Sequence, residues 1–185
     1  ILQLGTTGQL GHALLRTVAG RADVTHRALG RPEVDFREPE SVAAALRAAG
    51  PVDLVVNAAA YTAVDRAESE EEIAHLVNAG SVGALAKACA ERNVPLIHIS
   101  TDYMFDGTKS EPYVETDMPN PLNAYGRTKL EGENAIRNAT DRHVILRTSW
   151  VYGASGDNFV KTMMRLGAER DVLRVVDDQY GAPTS

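Results

Sequence analysis

Short apolar runs alternate along this chain with stretches whose apolar positions recur every three to four residues, the signature of alternating strands and helices. The runs are ILQLG at 1–5, DVTHRAL at 23–29, VDLVVN at 52–57, VPLIHIS at 94–100, HVILRTS at 143–149 and VLRVV at 172–176. VDLVVN, apolar almost throughout, reads as a strand buried on both faces. A helix through HALLRTVAG ends at Gly20. EPESVAAALRAAG has Pro39 near its start and Gly50 just after its end, the asymmetry of a helix. Residues 70–92 form a long helical stretch with Ile73, Leu76, Val77, Leu85 and Ala86 on a common side. Two further helices are predicted, one carrying YGRTK at 125–129 and one over DNFVKTMMRLGAER. A polar loop rich in Asp, Gly and Pro runs from Thr101 to Asn123.

Six strands separated by helices need crossover connections. The predicted fold is therefore α/β, a Rossmann-type doubly wound parallel sheet with helices on both faces. Ligands of such sheets bind beyond the carboxyl ends of the strands. No internal repeat or linker interrupts the pattern, so residues 1–185 read as one Rossmann-type domain. The chain opens on Ile1, already inside an apolar run, and stops at GAPTS without a closing element. Both ends are expected to be cut, with a substrate-binding remainder beyond Ser185.

GTTGQLG sets Gly5, Gly8 and Gly11 between the first strand and the first helix. There Gly5 permits a tight turn, Gly8 lets backbone approach a pyrophosphate, and Gly11 allows close helix–strand packing. The helix N-terminus adds free N–H groups and a partial positive charge. A glycine-rich turn without a ligand has the same letters; its position at the first strand–helix junction favours the dinucleotide. After the second strand come Gly30 and Arg31, with Arg27 nearby and no carboxylate in the place that would hold ribose hydroxyls. Arg31 suits a 2′-phosphate, which favours NADPH, with NADH possible. Solvent-pointing arginines are the plain alternative.

Tyr125 and Lys129 are four residues apart and share a helix face. Spacing alone does not separate an active-site pair from two surface side chains. Asn123 is placed to cap that helix after Pro119 and Pro121 hold the approach extended. The acidic run ESEEE at 68–72 reads as a solvated helix start, and His98 as a core or hydrogen-bonded residue. None of the five histidines has ligand spacing, and no metal site is expected.

Apolar residues make up 44% and charged residues 24%, the balance of a globular protein. A net charge of -6 disfavours nucleic acid or an anionic membrane as partner. One cysteine, Cys89, excludes an intrachain disulfide and fits a reducing, cytoplasmic setting. The apolar run VDLVVNAAAYTAV is too short and too polar to span a bilayer.

In order along the chain stand VDFRE, NAAAYTAVDRAESE, HLVNAGSVGALAKACAE, LIHISTDYMFDG, PYVETDMPNPLNAYGRTKLEGE, ILRTSWVYG and VVDDQYGAPTS. This series resembles the extended short-chain dehydrogenase/reductases, and among them the branch that reduces dTDP-4-keto-6-deoxysugars, over the whole of 1–185. The resemblance implies a Y-x-x-x-K pair at Tyr125 and Lys129, with Thr101 as the active-site hydroxyl. It implies cofactor contacts at Gly5, Thr7, Gly8, Gln9, Leu10, Gly11, Arg31, Asp35, Asn57, Ala58, Ala59 and Ala60. Substrate contacts fall on Thr101, Asp102, Tyr103 and Trp150, although a packing role for Trp150 is equally open. Asn78 matches a helix asparagine that in related enzymes orders a water-linked proton path. Asp102 is followed by Tyr103 and not by the glutamate that related dehydratases need, so the resemblance points to simple ketone reduction. Lys129 is expected to lower the Tyr125 pKa and hold the nicotinamide ribose. The implied activity is NADPH-dependent reduction of a nucleotide-sugar C4 ketone, in a possible homodimer. A non-catalytic cofactor-binding subunit, or an epimerase or other deoxysugar ketoreductase, are the alternatives.

Overall fold

The computed structural model describes all residues, 1–185. Five strands form one parallel sheet: β1 (Leu2–Leu4), β2 (Arg27–Leu29), β3 (Val55–Asn57), β4 (Leu96–Thr101) and β5 (His143–Thr148), in the order β2-β1-β3-β4-β5. The chain steps from β1 outward to β2 and then returns across β1 to β3. That reversal opens a crevice at the carboxyl ends of β1 and β3. The helices are α1 (Gln9–Val18), α2 (Pro39–Ala48), α3 (Val64–Ala67), α4 (Glu71–His75), α5 (Ser81–Glu91), α6 (Ala124–Ala139) and α7 (Phe159–Glu169).

Strand alternation sends Leu2, Leu4, Val55 and Leu96 to one face of the sheet. There they join Val42, Leu46, Val82, Leu85 and Ile136 in the main core, beneath α2, α5 and α6. Val55, Val56 and Asn57 are all buried, as expected of a strand covered on both sides. Residues 71–91 also have the length and hydropathy of a membrane span, but more than half of that stretch is buried within the protein. It is a core helix.

The long helix differs from its expected form. Leu76–Gly80 is a π turn joining α4 to α5, and the inward position ahead of it is Ala74, fully buried, while Ile73 faces solvent. A wider turn adds a residue, so a strict 3.6-residue count does not keep its phase across it. Gly132 of α6 sits against this turn: a Cβ there would collide with the Asn78 carbonyl. The two helices thus touch through backbone.

The sixth expected strand is absent. Val172, Val175 and Val176 are exposed, and β5 pairs only with β4. The outer face of β5 leaves Val144 and Leu146 half exposed, and α7 buries no residue. An apolar run becomes a strand only when a ladder partner and a covered face hold it, and here neither does.

Candidate active site

The glycine turn is shaped by packing on two sides and left open on the third. Gly5 has φ +93°, and a Cβ there would lie 2.7 Å from the Ala59 nitrogen. A Cβ on Gly11 would lie 2.6 Å from the Gly5 carbonyl oxygen. Gly8 is the opposite case, with nothing within 4 Å of its absent side chain. It is the N-cap of α1, with no side-chain cap and no acidic residue in the first turn. Free N–H groups therefore meet open space, the setting that accepts a phosphate. From behind, the buried Gln3 Nε2 donates to the carbonyls of Gly5 at 2.8 Å and Gly11 at 3.0 Å. Its Oε1 accepts from His26 Nε2 at 3.0 Å.

This turn forms one end of a cleft of about 480 Å³ at the carboxyl ends of the strands. Thr7, Gly8, Gln9 and Leu10 line one side, and Ala58, Ala59 and Ala60 follow from β3. Thr101, Asp102 and Tyr103 come from the end of β4, Tyr125 and Lys129 from α6, and Trp150 from beyond β5. Trp150 has a left-handed backbone, φ +45°, and is half exposed, with Gly181 against its indole. Tyr125 and Lys129 thus share one space with Gly8, which lies 117 and 121 positions earlier in the chain.

α6 is set in place by several independent contacts. Asn123 Oδ1 accepts from Gly126 N at 2.7 Å, the expected N-cap. Glu68 Oε1 reaches across to accept from Ala124 N at 2.6 Å, and Glu71 pairs with Arg127 at 3.0 Å. The acidic run is therefore more than a solvated helix start. It caps and steers the helix that carries Tyr125. About two turns beyond Tyr125, the buried Glu133 carboxylate pairs with Arg137 at 2.6 Å and with Arg147 of β5 at 2.8 Å. Asn78, in the π turn, accepts from Tyr61 N at 2.9 Å and donates to Thr128 Oγ1 at 3.2 Å. It links the segment after Ala60 to α6.

Tyr125 is buried with its ring edge-on to Tyr103, centroids 5.6 Å apart. Burial pushes its phenol up to about 12, and the neighbouring Thr101 hydroxyl pulls it partly back. Thr101 Oγ1 donates to Asp102 Oδ1 and accepts from Tyr103 N, both at 3.2 Å. Burial raises Asp102 as well. Lys129, 1% exposed, is lowered to about 8 by burial. Its ammonium was expected to lower the Tyr125 pKa. Instead Nζ donates to the Ile99 carbonyl at 2.6 Å and lies 3.2 Å from His98 Nε2, and Lys129 is not among the groups that shift Tyr125. Desolvation is the largest cause for both groups; Asp102 adds to the rise of Tyr125, and Glu133 partly offsets the fall of Lys129.

The remaining expected contacts lie off the cleft wall. Asn57 is fully buried behind Ala58, its Oδ1 accepting from Ala59 N at 3.1 Å. Arg31 follows β2 outside the cleft, as does Asp35, whose carboxylate is taken up by Arg37 and held at about 2 by that contact. Sequence reasoning missed Gln3, Glu68 and Glu133 as positioning groups. For Gln3 and Glu133 the available signal was a polar residue at an apolar phase of its element.

Comparison with known proteins agrees with this layout. The family model described as RmlD substrate binding domain matches residues 1–185. A dTDP-4-dehydrorhamnose reductase of Salmonella typhimurium is 50% identical over 186 residues, covering 100% of this chain and 62% of that protein. The crystal structure of a Clostridium acetobutylicum dTDP-4-dehydrorhamnose reductase superposes with TM-score 0.93 at 40% identity, covering 99% of this chain and 64% of the other. A Bacillus anthracis enzyme of the same name, solved in complex with NADP, gives 0.92 at 37% identity over 99% of this chain and 64% of its own. The chain thus spans less than two thirds of the length of these relatives.

Proposed function

The chain belongs to the RmlD substrate binding domain family, and from that membership we propose that residues 1–185 are the NAD(P)-binding, proton-donating domain of an NADPH-dependent reductase. Its substrate on this reading is dTDP-4-dehydrorhamnose, and its product dTDP-L-rhamnose. The observation that carries the reading is the convergence of Thr101, Tyr125 and Lys129 in one cleft with the uncapped glycine turn. The relatives' names and the NADP complex of the Bacillus anthracis enzyme support the choice of substrate class and cofactor.

The cofactor fits the residues present. Gly8 leaves room for a pyrophosphate against the N–H groups of α1, and Ala58 to Ala60 offer small side chains alongside. Arg31 is the group proposed to favour the 2′-phosphate. A bound nicotinamide supplies the hydride for the ketone carbon. Everything else falls to the chain. Thr101, rotating its one hydroxyl proton from Asp102 Oδ1, donates a hydrogen bond to the ketone oxygen as it gains charge. Tyr125 delivers the proton to that oxygen, giving a secondary alcohol. A phenol pushed up to about 12 is fully protonated at neutral pH, so the proton is in place for reduction. Asp102, Tyr103 and Trp150 border the space proposed for the sugar. Cys89 takes no part; burial raises its thiol to about 12, which leaves it inert in a cytoplasmic setting.

The test is NADPH oxidation by the protein with dTDP-4-keto-L-rhamnose, run beside a fluorescence titration of NADPH. Tyr125→Phe is expected to lower turnover by at least about 100-fold while NADPH affinity stays within about twofold. Retention of most activity removes Tyr125 as the proton donor. Cofactor binding by the unaltered protein without any turnover replaces the reductase reading with a non-catalytic subunit.

A further inference from the structure

Asn57, His98 and Lys129 form a buried chain of side chains beneath the cleft, each no more than 1% exposed. Asn57 Nδ2 lies 3.0 Å from His98 Nδ1, and His98 Nε2 lies 3.2 Å from Lys129 Nζ. The proton positions follow from the ends of the chain. Asn57 Oδ1 accepts the Ala59 N–H at 3.1 Å, so its amide has one orientation and Nδ2 must be the atom facing His98. An amide nitrogen only donates, so His98 Nδ1 must accept. A neutral imidazole accepting at Nδ1 carries its proton on Nε2. That N–H points at Lys129.

An ammonium has three donors and no lone pair, so it cannot receive the Nε2–H. The contact is satisfied only when Lys129 is a free amine, which accepts from His98 and donates to the Ile99 carbonyl. We propose that His98, with its tautomer set by Asn57, is a positioning residue that holds Lys129 as a neutral amine withdrawn from Tyr125, and that protonation of Lys129 releases it from this latch. The catalytic part of this inference rests on the reductase reading; the proton arrangement does not.

The charges around Lys129 leave the latch in control. From β4 the only titratable neighbour in contact is His98. Glu133, one turn along α6, favours the charged lysine, but its effect is smaller than that of burial, and its carboxylate is engaged by Arg137 and by Arg147 of β5. Tyr125 on α6, with Asp102 and Tyr103 beyond β4, makes no hydrogen bond to Nζ; the bonds of Thr101 and Asp102 are to each other and to Tyr103 N. Burial keeps His98 well below its ordinary value, so the ring stays uncharged, in agreement with the geometry.

The arrangement is read directly by two-bond ¹⁵N–¹H NMR on the chain with labelled histidine, without cofactor or substrate, from pH 6 to 9. His98 is expected to show the Nε2–H tautomer throughout. An Nδ1–H tautomer, or a charged ring, overturns the proposal whether or not the protein is a reductase. Asn57→Asp supplies the reversing variant. A carboxylate still accepts from Ala59 N but now accepts from His98 Nδ1–H, which frees Nε2 to accept from an ammonium. The His98 signal should switch tautomer, and the basic limb of the kcat/KM profile should move up by about one to three pH units. His98→Gln, whose amide N–H can still reach Lys129, should keep the limb near its original place, while His98→Leu should shift it. A limb unmoved in both Asn57→Asp and His98→Leu sinks the latch even where both variants fold.

Discussion

Replacing Gly132 by alanine sets two opposed effects against each other on the helix that carries Tyr125. Gly132 lies inside α6, where alanine is favoured over glycine by about 1 kcal/mol in an isolated helix. The added methyl, however, would meet the Asn78 carbonyl, closer to its oxygen than 3.0 Å and 3.2 Å from its carbon, with Val82 Cγ1 at 3.6 Å. Backbone cannot swing aside as a side chain can, so α6 must retreat by roughly 1 Å to restore a C···O contact of about 3.3 Å. Overpacking of this kind costs about 1–3 kcal/mol. Retreat also stretches the Asn78–Thr128 hydrogen bond, now 3.2 Å, a further loss of about 1 kcal/mol. Against a propensity gain of about 1 kcal/mol, the expected result is a net destabilisation of roughly 1–3 kcal/mol in urea unfolding. Because Tyr125 and Lys129 ride on the same helix, turnover should fall by about 100-fold as well. Gly167→Ala in α7 is the control, since nothing lies within 4 Å of its Cβ position. It should be neutral or stabilising by up to about 1 kcal/mol. If Gly132→Ala stabilises as Gly167→Ala does and keeps full activity, the backbone-to-backbone contact does not govern the placement of α6.

Glu68→Ala removes the acceptor of the Ala124 N–H; unfolding should show a loss of about 0.5–2 kcal/mol, and a loss in activity larger than the stability change predicts. Arg31→Ala should reduce the preference for NADPH over NADH measured by KM, and an unchanged ratio removes Arg31 from cofactor selection. Lys129 has a folded pKa near 8 against an ordinary 10.5, so folding favours its neutral form. Its burial is therefore best tolerated above pH 10.5, and the stability it contributes is lost as pH falls through about 8. The stability of the parent minus that of Lys129→Met should accordingly rise between pH 8 and 10; a flat difference means the amine is not desolvated.

What could be read from the amino acids was what local pattern encodes. The glycine turn, the Asn123 cap and the four strands bounding the cleft depend on neighbours a few residues away, and each stands where the pattern places it. The failures share a cause. VLRVV has the letters of a strand, yet pairing depends on what lies beside β5. Ile73 fits a 3.6-residue count, but the π turn breaks the count just beyond it. Glu68 looks like any acid at a helix start until α6 arrives from 56 positions later to claim its carboxylate. His98 was recognisable as a core or hydrogen-bonded residue; its partners, 41 residues before and 31 after, were not.

Gln3 carries a consequence for affinity. An isolated glycine-rich loop samples many backbone states, and fixing each residue costs about 1–2 kcal/mol of conformational entropy. Here one buried amide ties the carbonyls at both ends of the loop to the first strand, so that ordering is already completed when the chain folds. On the proposed reading, a dinucleotide arriving at Gly8 would meet a preorganised cradle, and the interactions made there would appear as affinity without being spent on arranging the loop.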